Sequence, residues 1–184
     1  MTLVYLDTSV WLSITLSNDR NHNKALQVLA KVRSGGYVAI ISRHVLSEVL
    51  DVLRKQALTK TTIKNSLDAN AHRRLVERQY RQFTATILGM QNVIVKDTTV
   101  ATVEVLKETL RLQREIWGTL GKTNACPICN SLYGFVSYDG PFKDDAMHLV
   151  LADKVGCDSL ISFDRDFQML KRSTRYSHIV IQVL

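Results

Sequence analysis

Apolar positions fall along this chain in short compact runs and in helical stripes, and the two kinds alternate. Leu3-Val4-Tyr5-Leu6, running into Asp7, is too short and too rich in β-formers for a helix, so residues 3–7 are predicted as a buried strand. Thr8 and Ser9 stand where the caps of a following helix belong. A second helix is predicted over residues 22–34, stopped by Gly35-Gly36, and Tyr37 to Ile41 is again a compact strand. Ser42 suits the N-cap of a helix over 43–57. There Val45, Leu46, Val49, Leu50 and Leu53 recur at the spacing of one buried face.

A polar, basic helical stretch is predicted over residues 60–89, with a candidate break near Asn70. Val93 to Val95 reads as a third strand, and Asp97 as the cap of a helix over 98–117. Residues 118–141 then gather four of the eight glycines, both prolines, two cysteines and three aromatics. Apolar residues recur within that segment, so it reads as an irregular insertion rather than a linker. A nearly all-apolar helix over 144–155, a strand at 159–162, a short helix at 164–172 and a last strand at 179–183 complete the pattern. Strands alternating with helices predict one α/β domain over residues 1–184, with a mostly parallel sheet covered by helices on both faces.

Composition narrows the partners. The 184 residues carry a net charge of +7, and the basic excess is uneven. Lys60, Lys64, Arg73, Arg74, Arg78 and Arg81 share one helical stretch, while Lys171, Arg172 and Arg175 lie near the C-terminus. This favours a polyanionic partner such as RNA over a merely basic surface, with phosphate contacts expected in those two segments. No apolar run reaches the ~18 residues of a membrane helix. Residues 1–12 lack the basic start and cleavage site of a signal peptide, so no membrane contact and a cytoplasmic location are expected.

Three cysteines in a reducing compartment do not suggest a disulfide framework. Cys126-Pro127-Ile128-Cys129 has the spacing of half a zinc site, but no second pair completes it, and a plain surface loop is the favoured reading. Cys157, just after a helix-ending Gly156, reads as a small buried residue.

The acids carry the chemistry. Asp7 ends the first apolar run, Glu48 sits at the edge of a buried helical stripe, Asp145 opens the apolar helix, and Asp164 with Asp166 follows Ser159-Leu160-Ile161-Ser162-Phe163. Each aspartate alone could be a helix cap. Glu48 is harder to dismiss, because a carboxylate near a core must be paired or bind something. In parallel sheets, ligands collect at the carboxyl ends of strands, where Asp7 and the Asp164/Asp166 pair are predicted to lie. Grouped carboxylates repel one another, and Mg²⁺ or Mn²⁺, hard cations that prefer oxygen ligands, would relieve that repulsion. A metal held this way suits phosphodiester hydrolysis.

In order, Leu6-Asp7-Thr8-Ser9-Val10, Ser47-Glu48-Val49-Leu50, Asp145-Ala146-Met147-His148-Leu149 and Ile161-Ser162-Phe163-Asp164-Arg165-Asp166-Phe167 resemble the motifs of the PIN-domain family, and of its VapC-type ribonuclease toxins in particular. The resemblance implies a three-layer α/β sandwich and Mg²⁺- or Mn²⁺-dependent endonucleolytic cleavage of RNA. It also implies a cognate antitoxin and a homodimer. Matched position by position, Asp7, Glu48 and Asp145 would hold the metal, with Asp164 as the fourth acid and Asp166 able to exchange roles with it. A hydroxyl from Thr8, Ser9 or Ser162 would orient an acid or a water, and His148 reads as structural. Glu48 and Asp145 lie 97 positions apart (145 − 48), more than is usual in compact toxins of this type.

The alternative is a PIN-fold RNA-binding or RNA-processing module without a toxin role. An aspartyl phosphotransferase is disfavoured, because Ser9 stands where its second aspartate would be. A dinucleotide fold is disfavoured by the lack of a G-x-G-x-x-G after a strand.

Overall fold

Asp7 closes the first strand instead of belonging to it. In the computed structural model, which describes residues 1–59, 69–119 and 143–184, strand β1 is Thr2–Leu6. Helix α1, Thr8–Thr15, takes Asp7 as its N-cap. An acid with extended backbone and a side chain that can accept a helical N–H serves better as a cap than as a last strand residue. Helix α2 (His22–Arg33) ends at Ser34, and Gly35 takes φ +77° to turn the chain into β2, Tyr37–Ile41. A left-handed residue at that place suits glycine, which has no Cβ to strain.

Helix α3 spans Arg43–Thr59, and its Val45, Val49 and Leu53 are buried as the stripe predicted. Ser42 Oγ accepts from Val45 N–H at 3.3 Å, the expected cap. Helix α4 (Ala69–Leu88) supplies Phe83 and Ile87 to the core, and β3 is Val93–Val95.

Helix α5 is Thr102–Thr119, and α6 is Lys143–Lys154. Strand β4 is Ser159–Ser162, α7 is the single turn Phe167–Leu170, and β5 is Val180–Val183. The five strands form one parallel sheet in the order β3-β2-β1-β4-β5, the α/β class expected. All four residues of β4 are buried, as befits a parallel strand covered on both faces.

Two predicted helices shift. The one expected over 98–117 with Asp97 as cap begins only at Thr102. Thr98 Oγ1 instead accepts from Val100 N–H at 3.0 Å, so the hydroxyl makes a local turn that competes with helix over Thr98-Thr99-Val100. The helix expected over 164–172 shrinks to Phe167–Leu170, because the Asp164 carboxylate accepts from Asp166 N–H at 2.9 Å and spends those residues on a turn. Lys60, Lys64, the Cys126/Cys129 pair and nearly all of the 118–141 insertion lie outside the described residues.

The chain divides into two compact units. The first comprises Leu6–Lys96. Within it, β2 and β3 pair Ala39 with Val93 and Ile41 with Val95, and Asn92, at φ 63°, donates from Nδ2 to Val32 C=O at 3.0 Å. Trp11, Val10 and Ile41 are among its buried side chains.

The second unit joins Thr2–Tyr5 to Asp97–Leu184. There Leu3 N–H donates to the Asp158 carboxylate at 2.8 Å, and Asp158 N–H returns a bond to Leu3 C=O at 2.8 Å. The middle of helix α6 is apolar and charged residues lie at its two ends, with Ala146, Leu149, Val150 and Ala152 fully buried. It ends at Gly156 (φ +77°), after which Cys157 is buried as a small core residue. Among the described residues, no helix is long and apolar enough to cross a membrane.

Candidate functional site

Within the first unit, the turn from β1 into α1 presents Asp7 and Thr8. Asp7 is 5% exposed, and its Oδ2 accepts from Ser9 Oγ at 2.7 Å and from Ser9 N–H at 3.3 Å. Thr8, also buried, donates its hydroxyl to Glu48 Oε2 on α3, a bond between residues 40 positions apart. Helices α1 and α3 pack together, which holds the two ends of that bond. Glu48 is half-buried, and His44, one turn earlier on the same helix, places Nε2 3.4 Å from Glu48 Oε1. Thr8, Glu48 and His44 are thus joined into one polar cluster, next in sequence to Asp7 at the carboxyl end of β1. His44 was missed from the sequence, although its i, i+4 spacing to Glu48 is a signal that could have found it.

Within the second unit, Asp145 is half-buried in the first turn of α6, beside the exposed Asp144. Asp164 follows the carboxyl end of β4 and is exposed. Its N–H donates to Ser162 Oγ at 2.9 Å, so the serine orients the backbone that carries the acid. Asp166 is exposed at the N-cap of α7 and makes no side-chain cap bond. His148 is 2% exposed. Its Nδ1 lies 3.1 Å from Tyr5 OH, and its ring leans on those of Tyr5 and Phe167, centroids 5.7 and 6.3 Å away.

A second polar network in this unit fastens α5 to α6 and to the loop before β5. Glu108 accepts from Tyr176 OH at 3.0 Å and lies 3.0 Å from Lys154 Nζ. The Glu108 hydrogen bond holds the Lys154 ammonium above its usual pKa. Burial, and then the bond to Glu108, push the Tyr176 phenol well above its ordinary value.

Of the basic residues flagged on α4, Arg73 is engaged by Glu77 at 2.8 Å, while Arg74, Arg78 and Arg81 are exposed. Lys171, Arg172 and Arg175 are exposed as well.

The PIN domain family model matches residues 4–113, a span that runs from β1 through most of α5 and includes Asp7 and Glu48. The chain belongs to the PIN domain family. Asp145 and Asp164 lie beyond the matched span. Among solved structures, this PIN chain is similar to VapBC2 from Rickettsia felis, determined bound to a DNA fragment from their promoter. That likeness has a TM-score of 0.52 and 14% identity, over 99% of this chain and 98% of that one, and it bears on fold alone. A likeness to Mycobacterium tuberculosis VapC20, described as a Sarcin-Ricin loop cleaving toxin, has a TM-score of 0.48 and 20% identity over 90% and 92% of the two chains. No curated protein matches this sequence.

Proposed function

We propose that this PIN domain is a divalent-metal-dependent endoribonuclease that acts as the toxin of a toxin–antitoxin module. The observation that carries the reading is the pair of carboxylates in the first unit. Asp7, almost fully buried, and Glu48, bound by Thr8, come from separate elements and both fall within the PIN match. A charged group this deep is costly unless something compensates it.

Asp7, Glu48, Asp145 and Asp164 are the proposed metal carboxylates, with Asp166 as the alternative to Asp164. The donor chemistry fits, since carboxylate and hydroxyl oxygens suit Mg²⁺ or Mn²⁺ better than softer ions. When bound, such an ion lowers the pKa of a water and neutralises charge on the cleaved phosphodiester. The chain's own side chains prepare that chemistry. Ser9 fixes the rotamer of Asp7, and Thr8 fixes that of Glu48. His44 sits on the other Glu48 oxygen and limits its swing.

RNA as substrate is supported by the net charge of +7 and by the exposed arginines of α4. The toxin role, a cognate antitoxin, a homodimer and a cytoplasmic location rest on the likeness of the four motifs to VapC-type toxins. The test is cleavage of mixed RNA in Mg²⁺ or Mn²⁺, repeated with chelator and with Asp7→Asn. Cleavage lost in both controls supports the reading. Cleavage that survives both removes these carboxylates from the chemistry, and RNA binding without cleavage in either metal makes the chain a binding module.

A further inference from the structure

The second unit holds an open cleft of about 670 Å³ lined by Arg111, Arg114, Glu115, Thr174 and Arg175. Arg111, Arg114 and Glu115 share one face of α5 by their i, i+3, i+4 spacing, and Thr174 with Arg175 forms the opposite wall. Glu115 does not make the cleft a cation site. Its Oε1 accepts from Thr174 N–H at 2.7 Å, from Ser173 Oγ at 3.1 Å and from Thr174 Oγ1 at 3.2 Å. The carboxylate is a tether that fixes the loop before β5 onto α5 and so sets where Arg175 stands. Two exposed guanidinium groups, those of Arg111 and Arg175, against one occupied carboxylate leave the cleft positive. Lys171 and Arg172 add charge just upstream.

The cleft is not part of the acidic chemistry of its own unit. Strands β4 and β5 run parallel, with Ser159 opposite Val180 and Ser162 opposite Val183. Asp164 follows the carboxyl end of β4, whereas Arg175 precedes the amino end of β5 by one turn, closed by Ile179 N–H on Tyr176 C=O at 3.0 Å. The two places are separated by a strand's length, roughly 13 Å for four residues.

We propose that this cleft is a second anion site that grips backbone phosphates of a single-stranded RNA at a distance from the bond being cut. Planar guanidinium groups match phosphate oxygens two at a time, and an open, shallow groove admits a polymer where an enclosed pocket would select a small molecule. Such a grip carries no base specificity; it fixes register and lengthens the footprint. The proposal rests on the ribonuclease reading above, and its test separates the two.

The probe is fluorescein-labelled oligouridylate of four and of sixteen nucleotides, with binding followed by anisotropy over a salt series. Asp7→Asn is present in every protein so that nothing is cut. Replacing Arg111→Gln and Arg175→Gln together should weaken binding of the sixteen-mer roughly 3- to 30-fold, the effect of two exposed charge pairs. It should also lower the slope of log affinity against log salt by about 1.4, or 0.7 for each phosphate that is no longer neutralised on a single strand. The four-mer should bind unchanged, and Arg111→Lys with Arg175→Lys should restore most of the slope. Matching melting temperatures exclude a folding defect.

An unchanged sixteen-mer affinity and slope overturns the proposal, as does equal weakening of both lengths. Arginine-dependent capture of hexaglutamate without any effect on RNA also overturns it, and makes the cleft a docking surface for an acidic partner. The ribonuclease reading is judged separately, on the chain with Asp7 intact. If that chain cuts RNA while the glutamine variant binds the sixteen-mer normally, only the cleft proposal fails. If the sixteen-mer binds through the cleft but no metal supports cutting, only the nuclease reading fails.

Discussion

Replacing Asp7 with asparagine separates two jobs that one carboxylate could hold. The side chain caps α1, accepting from Ser9 N–H, and it is proposed to bind metal. Asparagine is about as good an N-cap as aspartate, so the capping contribution should survive. The bond from Ser9 Oγ loses a charged acceptor, at a cost of about 1 kcal/mol. Metal binding is another matter. A ligand present at 100 times its Kd stabilises the folded state by about 2.7 kcal/mol. For a chain of 184 residues, at about 2–4 °C per kcal/mol, that is a rise in Tm of roughly 5–11 °C. The assay is thermal unfolding across a magnesium or manganese titration of the natural protein, Asp7→Asn and Asp7→Ala.

Without metal, Asp7→Asn should melt within about 4 °C of the natural protein, by the same conversion. Asp7→Ala should lose about 1 kcal/mol more as the cap disappears. With metal, only the natural protein should gain its full stabilisation. A metal-induced rise of equal size in Asp7→Asn would refute the reasoning, since the charge would then contribute nothing to the ion.

Three further expectations follow from other interactions. Thr8→Val keeps the side chain's size but removes the donor to Glu48, and should cost about 1–2 kcal/mol in chemical denaturation, with Thr8→Ser recovering most of it. Gly156→Ala introduces a Cβ at φ +77° with no atom within 4 Å, so its cost is backbone strain alone, about 1 kcal/mol by the same measurement. At high pH, the raised Lys154 and Tyr176 groups set the sign. Both hold their protons more tightly when folded, so their contribution is intact below the ordinary values of 10.5 and 10.0 and fades as pH climbs past them. Alkaline unfolding should therefore bring a late rise in tyrosinate absorbance that Tyr176→Phe diminishes; a Tyr176 that ionises along with the half-buried Tyr37 would contradict the burial.

The alternation of strand and helix was legible because each core element carries its own periodicity. The α3 stripe of Val45, Val49 and Leu53 and the fully buried β4 could each be read without knowledge of the rest. Boundaries failed where side chains bond to their own backbone. Thr98 and Asp164 both divert their segments into turns, and hydrophobic spacing does not report such local competition. Asp7 was legible as a possible helix cap, but its exclusion from the strand was not, because capping depends on backbone angles. His44 went unnoticed because a polar residue at the start of a helix looks like solvated surface until its neighbour's depth is known.

The first strand lies between β2 and β4, so one of its two edges is closed only by residues far along the chain. Leu3 bonds to Asp158 across 155 positions, and Tyr5 meets His148 across 143. During synthesis, residues 2–5 can pair with β2 early, but their other edge stays open until β4 has been made. Long-range closure of this kind slows folding and leaves an apolar segment open to mispairing in the meantime. It also means that a nascent chain stopped before Asp158 lacks the bonds that close the second edge of its first strand.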